Sequence, residues 1–228
     1  MRVAVTGTAC VGKSTFIQDF LKNWEGVYKT PKTSYRDIVI KDNLQHSKHT
    51  TKNTQQLILD CMIDDSMKYT RDDNIIFDRC AVDNIAYSMH SYDKQSSDID
   101  SEFIDKCIPI LRECMKFIDI LFYIPFDNSV EITDNGSRET DIEYIKEIDN
   151  IIQQIEQQSL LPESNLFDKE NRPAIISLSG SPLERITQAS LYITDTGAPY
   201  SEKDCDIDWN ELSQFGIEPT DVFPGGKL

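Results

Sequence analysis

At 228 residues the chain has room for one well-buried α/β core with insertions and falls short of two full domains. A formal net charge of -16 works against binding a polyanion such as duplex DNA, because lysine and arginine drive that binding by displacing counterions from phosphates. Apolar runs such as Ile118 to Ile124 are too short to span a bilayer, and the six cysteines lack Cys-x-x-Cys pairs or a histidine at metal-ligand spacing, so they read as reduced thiols.

Met1 is followed at once by the β-branched run Arg2 to Thr6, which leaves no room for a charged leader and an apolar secretory core; a cytoplasmic protein is expected. Val3 to Thr6 predicts a strand bounded by glycine, and Lys13 to Trp24 predicts a helix through Phe16, Ile17, Phe20, Leu21 and Trp24. A second strand is expected near Val27-Tyr28. Thr54 to Met67 returns to helical spacing, Asn74 to Phe77 reads as a buried strand ending at Asp78-Arg79, and Val82 to His90 reads as a helix. Glu102 to Met115 predicts another helix, and Ile118 to Ile124 a central strand stopped by Pro125. The polar stretch Thr133 to Glu139 leads into an isoleucine-rich helix from Ile142 to Ile155. Ala174 to Leu178 predicts the last strand and Leu183 to Tyr192 the last helix, opened by proline near its first turn. Strands alternating with helices argue for an α/β fold around a parallel sheet. Residues 1 to 193 are expected to form the domain and residues 194 to 228 a tail that drapes over it or moves.

Gly7-Thr8-Ala9-Cys10-Val11-Gly12-Lys13-Ser14 fits G-x-x-x-x-G-K-[ST] without a mismatch and sits between a strand and a helix, as that motif requires. The glycines let backbone N–H groups close on phosphates at the positive end of the helix. Lys13 supplies a charge for the β and γ phosphates of ATP, and Ser14 a hydroxyl for Mg²⁺, while Thr15 packs or caps. Such a loop identifies a nucleotide site and leaves the reaction open.

Asp78 and Arg79 stand at the carboxyl end of a buried strand, where open parallel sheets bind ligands. Asp78 suits Mg²⁺ or a proton from the attacking group; Arg79 suits a substrate phosphate. A structural ion pair at a strand end explains the same two residues.

Phe77-Asp78-Arg79-Cys80-Ala81-Val82-Asp83-Asn84 resembles the Asp-Arg segment of thymidylate and deoxynucleoside kinases, and also the P-loop family that includes the nicotinamide riboside kinase-like AAA domain, many of whose members are phage-encoded. From Val3 to about Leu191 the chain can be laid on that plan. The resemblance implies a three-layer P-loop fold, a parallel sheet with helices on both faces, and a lid at about residues 127 to 160. It also implies phosphoryl transfer from Mg²⁺-ATP to a small acceptor, a (deoxy)nucleoside or nucleoside monophosphate, in the cytoplasm of a host if the chain is phage-encoded. A homodimer is compatible with it. Within Asp134-Asn135-Gly136-Ser137-Arg138-Glu139, it marks Arg138 as a lid arginine that meets the transferring phosphoryl group; a surface pair with Glu139 or Asp141 is the alternative.

In related kinases the loop corresponding to Gly180, Ser181 and Pro182 holds adenine, although a plain turn with a helix cap fits these residues as well. Arg36, Asp37 and Gln55, together with Arg79, are candidates for the acceptor, against solvated helix ends. His46, Lys48 and His49 form a small basic cluster that suits a phosphate or simply a polar loop. The phosphate loop lacks the acidic residue usual in thymidylate kinases, and the Glu-Arg-Ser signature of deoxynucleoside kinases is missing. An NTPase whose hydrolysis drives a partner, and a kinase of a hydroxyl on DNA or a modified base, stay open as alternatives.

Overall fold

The computed structural model describes residues 1–32, 34–42, 44–45, 47–127 and 140–200. Four short, almost wholly apolar segments form its sheet: β1 (Arg2–Thr6), β2 (Ile75–Asp78), β3 (Ile120–Tyr123) and β4 (Ala174–Ser177). They pair in the order β2-β1-β3-β4, all parallel, so every strand ends at the same edge. With successive side chains on opposite faces, such a sheet needs helices on both.

The helices are α1 (Lys13–Asn23), α2 (Tyr35–Lys41), α3 (Lys52–Lys68), α4 (Ala81–Asp93), α5 (Ser101–Met115), α6 (Ile142–Ser159) and α7 (Pro182–Ala189). Val3 and Val5 of β1 point to one face, with Phe16 and Phe20 of α1, Phe122 of β3 and Ile186 of α7. Ala4 points to the other, with Leu59 of α3, Ile85 of α4, Leu111 of α5 and Ile148 of α6. The three-layer α/β fold expected from the sequence is therefore present. Among the described residues no helix is long and apolar enough to cross a membrane.

Two local expectations are corrected. Val27 and Tyr28 form no strand; the chain makes a single parallel bridge between Lys29 and Ile75. Tyr28 is drawn off the sheet line by its ring contacts, since it meets Phe20 edge-on at 4.9 Å and its hydroxyl donates to the Gly197 carbonyl at 2.7 Å. The segment after it holds α2, a helix that the sequence reading did not anticipate. Ser34 opens α2 with a capping box, and its outward side mixes Arg36, Asp37 and Lys41 with an exposed Ile40.

Helix α6 lies within the segment expected to form a lid, yet Tyr144, Ile145, Ile148, Ile152 and Ile155 are all buried in the core. The helical part of that segment packs into the core. Residues 194–200 lie against the end of α1, where the Trp24 indole Nε1 donates to the Thr194 carbonyl at 2.8 Å. The expected tail beyond residue 200 and the loop carrying Gly136 and Arg138 lie outside the described residues.

Candidate active site

The turn from Gly7 to Thr15 leaves β1 and enters α1. Gly7 has φ 142° and a Cβ there would lie 2.5 Å from the Ile124 carbonyl oxygen, so a side chain would push the loop off β3. Gly12, at φ 89°, occupies the left-handed region and caps α1. The Lys13 Nζ donates to the carbonyl of Gly7 at 2.8 Å and to that of Thr8, folding back over the loop. Burial, and secondarily the Arg79 guanidinium, push the Lys13 ammonium down to about 7. That cost is relieved when an anion arrives, as expected of a phosphate-binding lysine at a helix N-terminus. Ser14 is half-buried in the first turn of α1; Thr15 points outward and is exposed.

Register fixes what stands beside this loop. Val5 of β1 pairs with Asp78 of β2, and the Arg79 N–H donates to the Val5 carbonyl at 3.0 Å. The Asp78 Oδ2 accepts from Arg36 Nη2 at 3.0 Å, and its Oδ1 is buried with no hydrogen-bond partner. The hydroxyls of Thr6 and Thr8 are buried and unpartnered as well. Native interiors rarely leave such atoms orphaned, and their gathering at one strand edge marks a place built for polar ligands.

Arg79 is held differently from the expectation that it would fork onto a substrate phosphate. At φ 79° it sits in the left-handed region, a strain on the order of 1 kcal/mol or more that surrounding bonds must hold. Its Nε donates to the Tyr35 hydroxyl at 2.9 Å and its Nη1 to the Gly7 carbonyl at 3.2 Å. Nη1 also pairs with the buried Asp83, and Nη2 reaches the Tyr87 hydroxyl at 3.3 Å. The guanidinium thus ties the phosphate loop to α4 and to α2. Asp83 and Tyr87 stand four and eight residues after Arg79, one helical face of α4, which was the available signal for this cage.

Against Asp78 and Arg79 opens a cavity of about 150 Å³, walled by Tyr35, Cys61, Met62, Phe77, Met115 and Ile118, with Asp65 and Ser66 of α3 on one side. Of the acceptor candidates, Arg36 stands at Asp78, half-exposed. Asp37 accepts from the Ser34 N–H at 2.7 Å and serves as a cap. Gln55 is buried, its Nε2 donating to Thr50 Oγ1 at 2.8 Å and its Oε1 accepting from Asn84 Nδ2 at 2.6 Å, so it joins α3 to α4.

Gly180, Ser181 and Pro182 are exposed and start α7, with Ser181 and Glu184 in a capping box. From the next turn Arg185, itself buried, sends Nη1 back to the Val11 carbonyl at 2.7 Å. The helix that follows the expected adenine loop therefore braces the phosphate loop, a role with no local sequence signal because Arg185 and Val11 lie far apart in the chain. Lys48 pairs with Asp141 at 2.6 Å, ahead of α6, and His46 lies outside the described residues.

A family model described as "AAA domain" matches residues 2–162 of the chain. No curated protein matches it significantly. Among solved structures, deoxyadenosine kinase from M. mycoides is similar at a TM-score of 0.55 and 18% identity, covering 83% of this chain and 96% of its own. Thymidylate kinase from Candida albicans is similar at 0.55 and 14% identity, covering 82% and 88%. The NadR protein in complex with NR gives 0.58 and 16%, covering 88% of this chain and 52% of NadR, so the chain spans about half of that protein. At these identities the likeness is one of fold.

Proposed function

The chain belongs to the AAA domain family matched over residues 2–162, and from that premise we propose that it is a Mg²⁺-ATP-dependent phosphotransferase acting on a small acceptor, a nucleoside or nucleoside monophosphate. One observation carries the reading: Asp78, with an unpartnered buried Oδ1, stands beside a complete phosphate loop and at the mouth of a cavity of about 150 Å³. Many P-loop proteins bind a triphosphate; a carboxylate between that triphosphate and a second, ring-sized cavity is what a transfer to an acceptor requires.

In this reading Gly7 to Gly12 cradle the phosphates by backbone N–H groups, and Lys13 leaves its carbonyl partners for the β and γ phosphates. Mg²⁺ held largely by phosphates and water needs few protein ligands, and those it takes are hard oxygens. The Ser14 hydroxyl and Asp78, with its orphaned Oδ1, fit that demand; Mg²⁺ would neutralise charge on the transferring group. Asp78 also has the chemistry to take the proton of the attacking hydroxyl. Arg79 fixes the loop and α4 in register for the transfer. Arg138 is assigned to the lid by its sequence context, meeting charge that grows in the transition state. Arg36 guards Asp78 from the acceptor side.

The test incubates the full chain with Mg²⁺-ATP and a panel of nucleosides and their monophosphates, reading products by mass spectrometry. A phosphorylated acceptor is expected; ADP formation that no acceptor accelerates would sink the reading.

A further inference from the structure

The acceptor cavity carries an electrostatic bias that its position alone does not require. Three charged side chains line it: Asp65, Asp78 and Arg79. Arg79 is already spent, with four hydrogen bonds to Tyr35, Gly7, Asp83 and Tyr87 and its charge balanced by the buried Asp83. Asp78 is balanced in part by Arg36 at the rim. Asp65 makes no hydrogen bond or ion pair among the described residues, although it is half-buried. Its carboxyl is pushed up by burial and by the neighbouring Asp64, against the pull of Lys68. An unpaired carboxylate facing a cavity lacks what a hydrogen-bond donor would supply, and it repels a phosphate.

The rest of the wall is suited to a flat apolar ring. Cys61 and Met62 come from α3, Phe77 from β2, and Cys114, Met115 and Ile118 from the end of α5 and just past it. A volume of about 150 Å³ is close to that of an engineered apolar cavity, also of about 150 Å³, that takes up one benzene ring. The ring of a single base fits this space, with the sugar outside it.

We propose that this cavity is the base-binding half of the acceptor site, that Asp65 receives N–H donors of the base, and that the acceptor is therefore a nucleoside without a phosphate. The assignment rests on the kinase reading above. It chooses between the two acceptor classes left open there. Asp65 acts as a specificity-determining residue: it makes a donor-bearing, uncharged or cationic acceptor welcome and adds to the cavity wall a negative charge, offset only in part by Lys68, that disfavours a monophosphate. Among the described residues, Arg79 is the one cation lining the cavity and is engaged, and Arg36 at the rim is already paired with Asp78.

The test measures binding and transfer separately on the full chain. Adenosine, guanosine, cytidine and thymidine, each paired with its 5′-monophosphate, are titrated calorimetrically with Mg²⁺ and a non-hydrolysable ATP analogue, and are then assayed for transfer with Mg²⁺-ATP. At least one nucleoside should bind tenfold or more tightly than its monophosphate and be the species phosphorylated. Asp65→Asn should raise the Kd of that nucleoside about tenfold and narrow the gap to its monophosphate, with the Kd of the ATP analogue unchanged as a check on folding. Asp65→Ser serves if the first variant does not fold. Preferred binding and phosphorylation of monophosphates would overturn the inference and leave the kinase reading standing. Tight nucleoside binding without transfer would leave the cavity a nucleoside site but remove the kinase reading and, with it, the acceptor assignment. Binding of neither class, or an Asp65→Asn variant with unchanged nucleoside affinity, would overturn the assignment.

Discussion

The proposed nucleotide side of the site is made by consecutive residues from Gly7 to Thr15, whereas the proposed acceptor side draws on segments spread from Thr30 to Ile118. The first relies on backbone N–H groups and one lysine at a helix start, with Arg79 and Arg185 bracing the loop from outside. The second depends on where α2, α3 and α5 come to rest against β2. A lesion on the nucleotide side should therefore remove chemistry and spare the fold, while lesions on the acceptor side should divide between selectivity and stability.

The largest effect is expected from Lys13→Ala. It removes the only side-chain charge of the loop and should lower transfer on the order of 10³-fold, as loss of a transition-state charge partner does elsewhere. Triphosphate affinity should weaken too, and circular dichroism should be unchanged. A variant with wild-type turnover would remove the phosphate-loop reading.

Asp78→Asn comes next and separates the two sides. Its Oδ1 is buried and unpartnered, and the backbone cradle does not use it. Single-turnover transfer should fall by about 10²-fold or more with little change in the ATP dissociation constant. Equal losses in both would place Asp78 within nucleotide binding instead.

Arg185→Ala probes the nucleotide side from a distance. The Val11 carbonyl would lose its 2.7 Å donor, and the loop its brace from α7. The KM for ATP should rise about tenfold or more while the acceptor KM stays put, in keeping with loss of a charged hydrogen bond worth roughly 1.5–3 kcal/mol. A change confined to the acceptor KM would contradict the brace.

The smallest effect concerns support behind the acceptor side. Burial, with Asp83 and then Asp149 nearby, lifts the Glu156 carboxyl on α6 to about 8. The native protein therefore holds a proton that the unfolded chain gives up above its ordinary value of about 4.3. The stability this group allows is fully present below that value and falls as pH rises toward 8. Glu156→Gln keeps the neutral form, so it should match wild type near pH 5 and exceed it near pH 8 by one to a few kcal/mol in urea melts. A gap of the same size at both pH values would mean that Glu156 is ionised throughout.

The same contrast explains what could be read from the sequence. Eight consecutive residues and their strand-to-helix setting sufficed for the phosphate loop, and apolar runs sufficed for β1 to β4. Helix α2 escaped because Tyr35–Lys41 is short, with Val39 its only buried residue, and so has little period. Gln55 looked like a reader of the acceptor because helix-opening glutamines can do that; its contacts with Thr50 and Asn84 depend on the docking of α3 on α4. Asp65 carried no mark in the sequence, since an aspartate on a polar helix face is ordinarily solvated. Only the packing of α3 against Phe77 and Met115 turns it toward a cavity.

The destination of the γ-phosphoryl group separates a kinase from a hydrolase. With ¹⁸O-labelled γ-phosphate, saturating Mg²⁺-ATP and the best acceptor of the panel, a single turnover can be quenched and the label followed by mass spectrometry. Phosphoryl transfer beside Asp78 predicts the label on the acceptor hydroxyl in step with ADP formed. Label recovered as inorganic phosphate with the acceptor unaltered would make this protein a hydrolase and rule out phosphoryl transfer to a small acceptor.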